Sequence, residues 1–134
     1  MFKKMLKNDR GLTLIELLAV VVILGIIAAI AVPSIGGIIN NSKEDAKISD
    51  AIQIINAAKI AKASEEGTVF KHKAPATGAV SGEVYLESYL DSASETGYTV
   101  TYEDNQYSIS SHPGVAAADQ TTTATEKQLK DALN

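Results

Sequence analysis

One carboxylate constrains this chain more than any other residue. Glu16 stands near the start of a long uncharged run, and the next charged residue after it is Lys43. Residues 12–39 are apolar, and at about 1.5 Å per helical residue they outrun the ~30 Å hydrocarbon core of a bilayer. An acid at the centre of a membrane helix costs about 2.5–3.5 kcal/mol on insertion scales, less near the helix end. Such a group marks function and needs a partner. The candidate is an amine at Leu12, four residues away on the same helix face. That amine exists only if the chain is cut after Gly11.

Charge is divided to match. Residues 1–11 hold Lys3, Lys4, Lys7 and Arg10 against Asp9, a net +3, which leaves −7 of the total −4 for residues 12–134. A basic leader kept on the cytoplasmic side and an acidic exported body satisfy the positive-inside rule. An acidic body also argues against general nucleic-acid affinity, which basic surfaces drive. A secretory signal peptide would have an apolar region of about 7–15 residues followed by a small-residue cleavage site. Here the run is far longer and the small residue precedes it. An ordinary signal anchor explains length and orientation but gives no reason for Glu16 or for the Arg10-Gly11 junction.

Basic leader, Gly11 and Leu12-Thr13-Leu14-Ile15-Glu16-Leu17 together resemble the N-terminus of type IV pilins and pilin-like subunits, over residues 1 to about 40. The resemblance implies removal of the leader by a prepilin peptidase between Gly11 and Leu12, and N-methylation of Leu12. It implies assembly machinery with an ATPase, and a homo-oligomeric helical filament held by the apolar helices and by a bridge from Glu16 to a neighbour's Leu12 amine. It further implies that the Gly25–Pro33 segment melts in the filament. The chain would wait as a single-pass precursor in the cytoplasmic membrane and end as a cell-surface pilus serving adhesion, motility or DNA uptake. Family members most often have Phe where this chain has Leu12, a departure that bears on methylation of the amine more than on recognition of Gly11. Many members from Gram-negative bacteria close a C-terminal loop with a disulfide; with no cysteine, this chain leans to the Gram-positive type. The alternatives are a pseudopilin of a type II secretion or competence system, and a membrane-anchored binding module that never assembles.

The rest of the chain predicts an α+β fold: a long N-terminal helix, membrane-spanning then amphipathic, packed on a small antiparallel sheet with short helices. Its parts are a leader (1–11), an apolar helix (12–39), an amphipathic half (40–64) and a globular head (65–134). Pro33 interrupts the helix, and Gly36-Gly37 and Asn40-Asn41 loosen it. Ile48, Ile52 and Ile55, with Ala51 and Ala58, recur at helical spacing as the floor of the head's core. Gly67 is the expected C′ residue. A continuous helix over 12–64 would be about 80 Å long, more than a small domain needs.

In the head, Thr68-Val69-Phe70 starts a strand, and residues 71–82 read as loop. Tyr85, Leu86, Tyr89 and Leu90 predict a short helix over 83–90. Tyr98, Val100 and Tyr102, then Tyr107 and Ile109, alternate with hydroxyl residues and predict a hairpin turning at Asp104-Asn105. Residues 111–124 read as a polar stretch with a turn at His112-Pro113-Gly114. Two overlapping capping boxes, Thr123 to Glu126 and Thr125 to Gln128, introduce a final helix.

Few head residues carry chemistry. The five tyrosines are core and cross-strand packing, with stacking on single-stranded DNA as the rival use. Lys71-His72-Lys73 is a solvated loop whose rival is contact with DNA or a host surface. Glu83, Glu87, Asp91 and Glu95 read as one acidic helix face, with calcium binding as the rival. His72 and His112 are isolated in sequence, so no metal is expected. No nucleophile–base grouping, phosphate loop or cofactor motif is present, so the reading is a structural protein and not an enzyme.

Overall fold

The computed structural model describes residues 2–91 and 96–134, with side chains from residue 12 onward. Lys3, Lys4, Lys7, Arg10 and Gly11 are described as backbone alone, and Met1 and Glu95 lie outside the described residues. The order of elements is α1 (Phe2–Ser64), β1 (Val69–Lys71), β2 (Glu83–Tyr85), a 3-10 turn (Leu86–Ser88), β3 (Thr99–Glu103), β4 (Gln106–Ser110), α2 (Pro113–Ala117), β5 (Thr123–Thr125) and α3 (Glu126–Ala132). The chain forms two compact units, residues 1–40 and 41–134. The first is helix alone. The second is the C-terminal part of α1 with the sheet and the short helices, an α+β fold.

Pro33 sits inside α1 rather than at a break. It lacks an N–H for the Ala29 carbonyl, yet the helix is assigned on both sides, so one missing hydrogen bond does not end it. Between Asn41 and Ser64 the buried face consists of Ile48, Ala51, Ile54, Ile55, Ala57, Ala58 and Ala61. Ile54 joins the expected stripe, and Ile52 is only half-buried at its edge. Alanine gives this stretch helix propensity and lets the sheet approach the helix axis closely.

The sheet has the order β2-β1-β3-β4-β5. Its register lines up Val84, Phe70, Val100, Ile109 and Ala124 in one row across all five strands. All five are buried in the same core as the α1 face. Strand alternation sends Thr99, Thr101, Ser108 and Ser110 to the other face, where the Thr101 and Ser108 hydroxyls bond at 2.8 Å. The β3–β4 hairpin turns at Asp104 (φ 49°) and Asn105 (φ 64°), the positive-φ pair of a two-residue turn matched to strand twist. Tyr102 and Tyr107 face each other across it, ring centroids 4.6 Å apart.

Three local expectations are corrected. Residues 83–90 are not a helix: Val84 pairs with Phe70 in a parallel β1–β2 ladder, and a 3-10 turn follows. Strand pairing and burial of Val84 override the local helical spacing. The sheet is therefore mixed, and the 72–82 loop supplies the crossover that a parallel pair needs. Gly67 is not the left-handed residue; Gly78 and Gly82 have positive φ instead. Gly67 is needed for space, since a Cβ there would lie 2.5 Å from Val84 Cγ2. Residues 111–124, expected as a polar stretch with one turn, contain two elements. His112 caps α2, Pro113 opens its first turn, and β5 follows as an edge strand.

Of the two predicted capping boxes, the second forms: Gln128 N donates to Thr125 Oγ1 at 3.3 Å and Thr125 N to Gln128 Oε1 at 2.9 Å. Glu126 is instead drawn into an ion triad with Lys130 and with Lys59 of α1, the latter at 2.6 Å. Hydrogen bonds from Lys130 and Lys59 hold its carboxyl below the usual carboxylate range. The triad ties the C-terminal helix to α1 where no disulfide exists.

Two predictions follow from these contacts. A methyl at Gly114 would stand 2.5 Å from the Lys47 carbonyl and 2.9 Å from Ala51 Cβ. Gly114→Ala should therefore lower stability by about 1–3 kcal/mol, the usual cost of overpacking, read by denaturant unfolding of the detergent-solubilised chain. A lowered folded pKa means that Glu126 contributes stability above its unfolded value and loses it as pH falls through the folded one. Stability should thus decline below about pH 4, and Glu126→Gln should flatten that decline in an acid titration followed by circular dichroism.

Candidate assembly site

The expected site residues all lie in the first unit. Leu12 is 63% exposed, Glu16 is exposed one helical turn further on, and the Gly11–Leu12 junction lies within α1. While Leu12 remains bonded to Gly11 its nitrogen is an amide, so Glu16 has no cation there to pair with. Between Leu12 and Lys47 every side chain is exposed except Ala31, which is intermediate. Leu, Ile and Val residues through this stretch are roughly half to two-thirds exposed. An uncovered apolar surface of this extent needs lipid or other protein around it. Among the described residues, one helix is long and apolar enough to cross a membrane. Nothing lies within 4 Å of a Cβ built at Gly25, Gly36 or Gly37, so packing within the chain does not require glycine at any of them.

In the second unit, candidate binding residues are engaged with one another. Lys71 pairs with Glu83, and Lys73 with Glu87 at 3.3 Å. The hydrogen bond from Lys71 holds the Glu83 carboxyl below its ordinary value. Two members of the basic triplet and two of the acidic row, Glu83 and Glu87, thus neutralise each other across β1, β2 and the turn that follows. That arrangement removes the helix face expected for the acids and leaves the triplet a weak anion site. Among the described residues no group of three or more His, Asp or Glu could hold a metal ion. Tyr98 is buried, Tyr102 and Tyr107 pack across the hairpin, and the Tyr85 and Tyr89 hydroxyls donate to Glu83 and Glu65. The tyrosines therefore serve packing and local hydrogen bonds.

Sequence reasoning missed one cluster. His72 and His112, forty positions apart, both meet Tyr98: its hydroxyl lies 3.4 Å from His72 Nδ1, and its ring packs edge-on to His112 at 6.3 Å. Burial, with the Asp50 charge adding, pushes the Tyr98 phenol up to about 12. His112 Nδ1 accepts from the Gly114 amide at 3.0 Å, and Nε2 lies 3.1 Å from Asp50 Oδ2. Ser111 and Asp50 beside a histidine suggest nucleophile chemistry at first sight. Yet Nδ1 is bonded to the Gly114 amide, Nε2 faces Asp50 and the imidazole is 1% exposed, so the ring here holds a helix end. The His-Pro-Gly tripeptide was the available signal, since histidine preceding Pro at N1 stands where a helix cap belongs.

Residues 6–32 match the family model of the prokaryotic N-terminal methylation motif, the signature of type IV pilins and prepilins. No curated protein and no solved structure matches the chain significantly. The match covers the junction, Glu16 and most of the uncovered apolar segment. The chain therefore carries a pilin-type processing signature on a membrane-length helix. Alkaline carbonate washing of membranes containing the chain should leave it in the pellet, with detergent needed for release. Its appearance in the carbonate supernatant would contradict a spanning segment.

Proposed function

We propose that this chain is a structural subunit of a type IV pilus, cut after Gly11 and assembled through its N-terminal helix. The observation that carries the reading is the coincidence of the methylation signature at residues 6–32 with an apolar helix that the chain leaves uncovered. Prepilin peptidase would remove residues 1–11 in the membrane and methylate the new amine of Leu12, which keeps its positive charge. Assembly machinery with its ATPase would then extract the subunit into a helical filament, where neighbouring apolar helices replace lipid.

In that filament Glu16 of one subunit pairs with the Leu12 amine of its neighbour. Both charges lie where water is scarce, so a subunit in the wrong register leaves two buried charges unpaired, a state costlier than the pair is favourable. The contact thus selects register. Gly25 and Pro33 bracket a stretch in which the helix is weakened by low propensity and a missing donor. We assign to it local melting on assembly, with the freed backbone groups buried against adjacent subunits. The head faces outward and sets adhesion, motility or DNA capture.

Glu16→Ala and Glu16→Val should leave membrane insertion intact and abolish filaments in sheared-surface preparations; normal filaments from either would overturn the pairing. Mass spectrometry of the assembled subunit should give an N-terminus at Leu12 bearing one methyl, whereas a non-assembling anchor keeps Met1. Electron microscopy of sheared material separates the pilus from a pseudopilus, because long abundant fibres fit only the former. A filament map with unbroken helix from Gly25 to Pro33 would refute melting.

A further inference from the structure

We propose that His112 is a proton-operated cap: a second proton on its ring releases α2 from its N-terminal anchor and loosens the segment leading to β5. The device lies wholly within the second unit and does not depend on how the chain assembles.

The argument begins with the ring's two hydrogen bonds. Gly114 N–H is a donor, so the Nδ1 that accepts from it at 3.0 Å carries no proton. The single proton of a neutral ring therefore sits on Nε2 and is donated to Asp50 Oδ2, 3.1 Å away. This network assigns both charge state and tautomer. Protonation of Nδ1 turns the acceptor into a donor and sets it against another donor. The ring is 1% exposed, so no bulk water stands ready to separate them, and the cap must open.

Four groups among the described residues stand around the ring. Asp50 of α1 faces Nε2 at 3.1 Å. Tyr98, at the entry to β3, presents its ring edge at 6.3 Å and stays a neutral phenol; His72, from the β1–β2 loop, stands behind it at the Tyr98 hydroxyl. Lys47 of α1 contributes its backbone carbonyl beside Gly114, with its side chain exposed. A proton on Nδ1 would face the Gly114 N–H donor across 3.0 Å, so the intact cap and a doubly protonated ring exclude one another.

What gives way is short. α2 spans Pro113–Ala117, and Ala118 N returns to the Gly114 carbonyl at 3.1 Å while Gln120 N returns to Val115 at 3.0 Å. Val115 and Ala118 are its core contacts. A helix this brief has little propagation energy of its own and depends on its cap and its packing. The β3–β4 hairpin, with a full antiparallel ladder, does not share that dependence.

The test is NMR on the full chain in detergent micelles. At about pH 8, a long-range proton–nitrogen spectrum should show His112 Nδ1 as an unprotonated acceptor and Nε2 as protonated. Between about pH 8 and pH 5, the range in which histidine normally changes charge, exchange protection at Gly114, Ala118 and Gln120 should fall at least about tenfold relative to the β3–β4 amides, as local opening would produce. His112→Asn keeps a capping side chain that does not titrate, and should hold that ratio constant over the same range. A proton on Nδ1 at pH 8, a ratio unchanged in the natural chain, or the same fall in His112→Asn would each overturn the proposal. Should the variant not fold, the tautomer and the pH profile of the natural chain still decide.

Discussion

The head depends on a single packing relation, the alanine-rich face of α1 lying under one row of sheet residues. Ile48, Ile54 and Ile55 supply bulk, and Ala51, Ala58 and Ala61 supply proximity, against Val84, Phe70, Val100, Ile109 and Ala124. A sheet of three- to five-residue strands cannot stand alone in water, because so few paired residues bury too little apolar surface. Each strand contributes one member to the row, so each is held by the helix as much as by its neighbours. Small alanines bring the helix close, and larger residues there would lift it off the sheet. The same closeness explains Gly114, where α2 meets the Lys47 carbonyl of α1 almost in backbone contact.

Polar contacts add specificity to this apolar relation. The Lys59–Glu126–Lys130 triad, the Lys62 ammonium over the Tyr102 ring at 4.5 Å and the His112–Asp50 contact all bind α1 to later parts of the chain. None of them is a large energy at a partly exposed site. The lysine contacts sit around the rim of the core and His112 within it, and together they select one placement of α3, the hairpin and α2. In a cysteine-free head, that selection replaces what a covalent loop closure would impose. Lys59 and Lys62 lie on α1 and their partners far along the chain, so these ties form only once the apolar core has brought the segments together, because closing a long loop costs entropy that a single surface contact does not offset.

How much of this was legible in the sequence depended on whether the signal was local. The long helix, the β3–β4 hairpin and the Thr125 cap are set by periodicity, by a two-residue turn and by a three-residue spacing, and all three could be read. Strand β2 could not, because Tyr85, Leu86, Tyr89 and Leu90 have helical spacing and only pairing with Phe70 makes Val84 a strand residue. β5 was hidden for a related reason: Thr123-Ala124-Thr125 has the alternation of a strand but is too short to stand out, and only pairing of Ala124 with Ile109 makes it one. The His72–Tyr98–His112 cluster was beyond reach, since it is made by tertiary contact between three separate segments. The motif at Gly11 and Glu16 was the opposite case. Its spacing is the whole of its information, and folding of the chain adds nothing that spacing did not already state.

The glycines separate the demands of the fold from demands that originate outside it. At Gly67 and Gly114 an added methyl would collide with Val84 or with Lys47 and Ala51, so the fold itself requires glycine there. At Gly25, Gly36 and Gly37 the same methyl would meet nothing within 4 Å, while alanine would strengthen the helix by about 1 kcal/mol per site. Three helix-weakening residues are therefore kept where the chain gains no packing from them. Small residues on an apolar helix let another helix backbone approach closely, and low propensity lets the helix loosen. Neither benefit is realised by packing within the chain. The surface that Leu12 through Ile39 leaves uncovered, and the glycines that intrachain packing leaves unexplained, are thus one observation made twice: this segment is shaped for surroundings, lipid or other protein, that the chain itself does not provide.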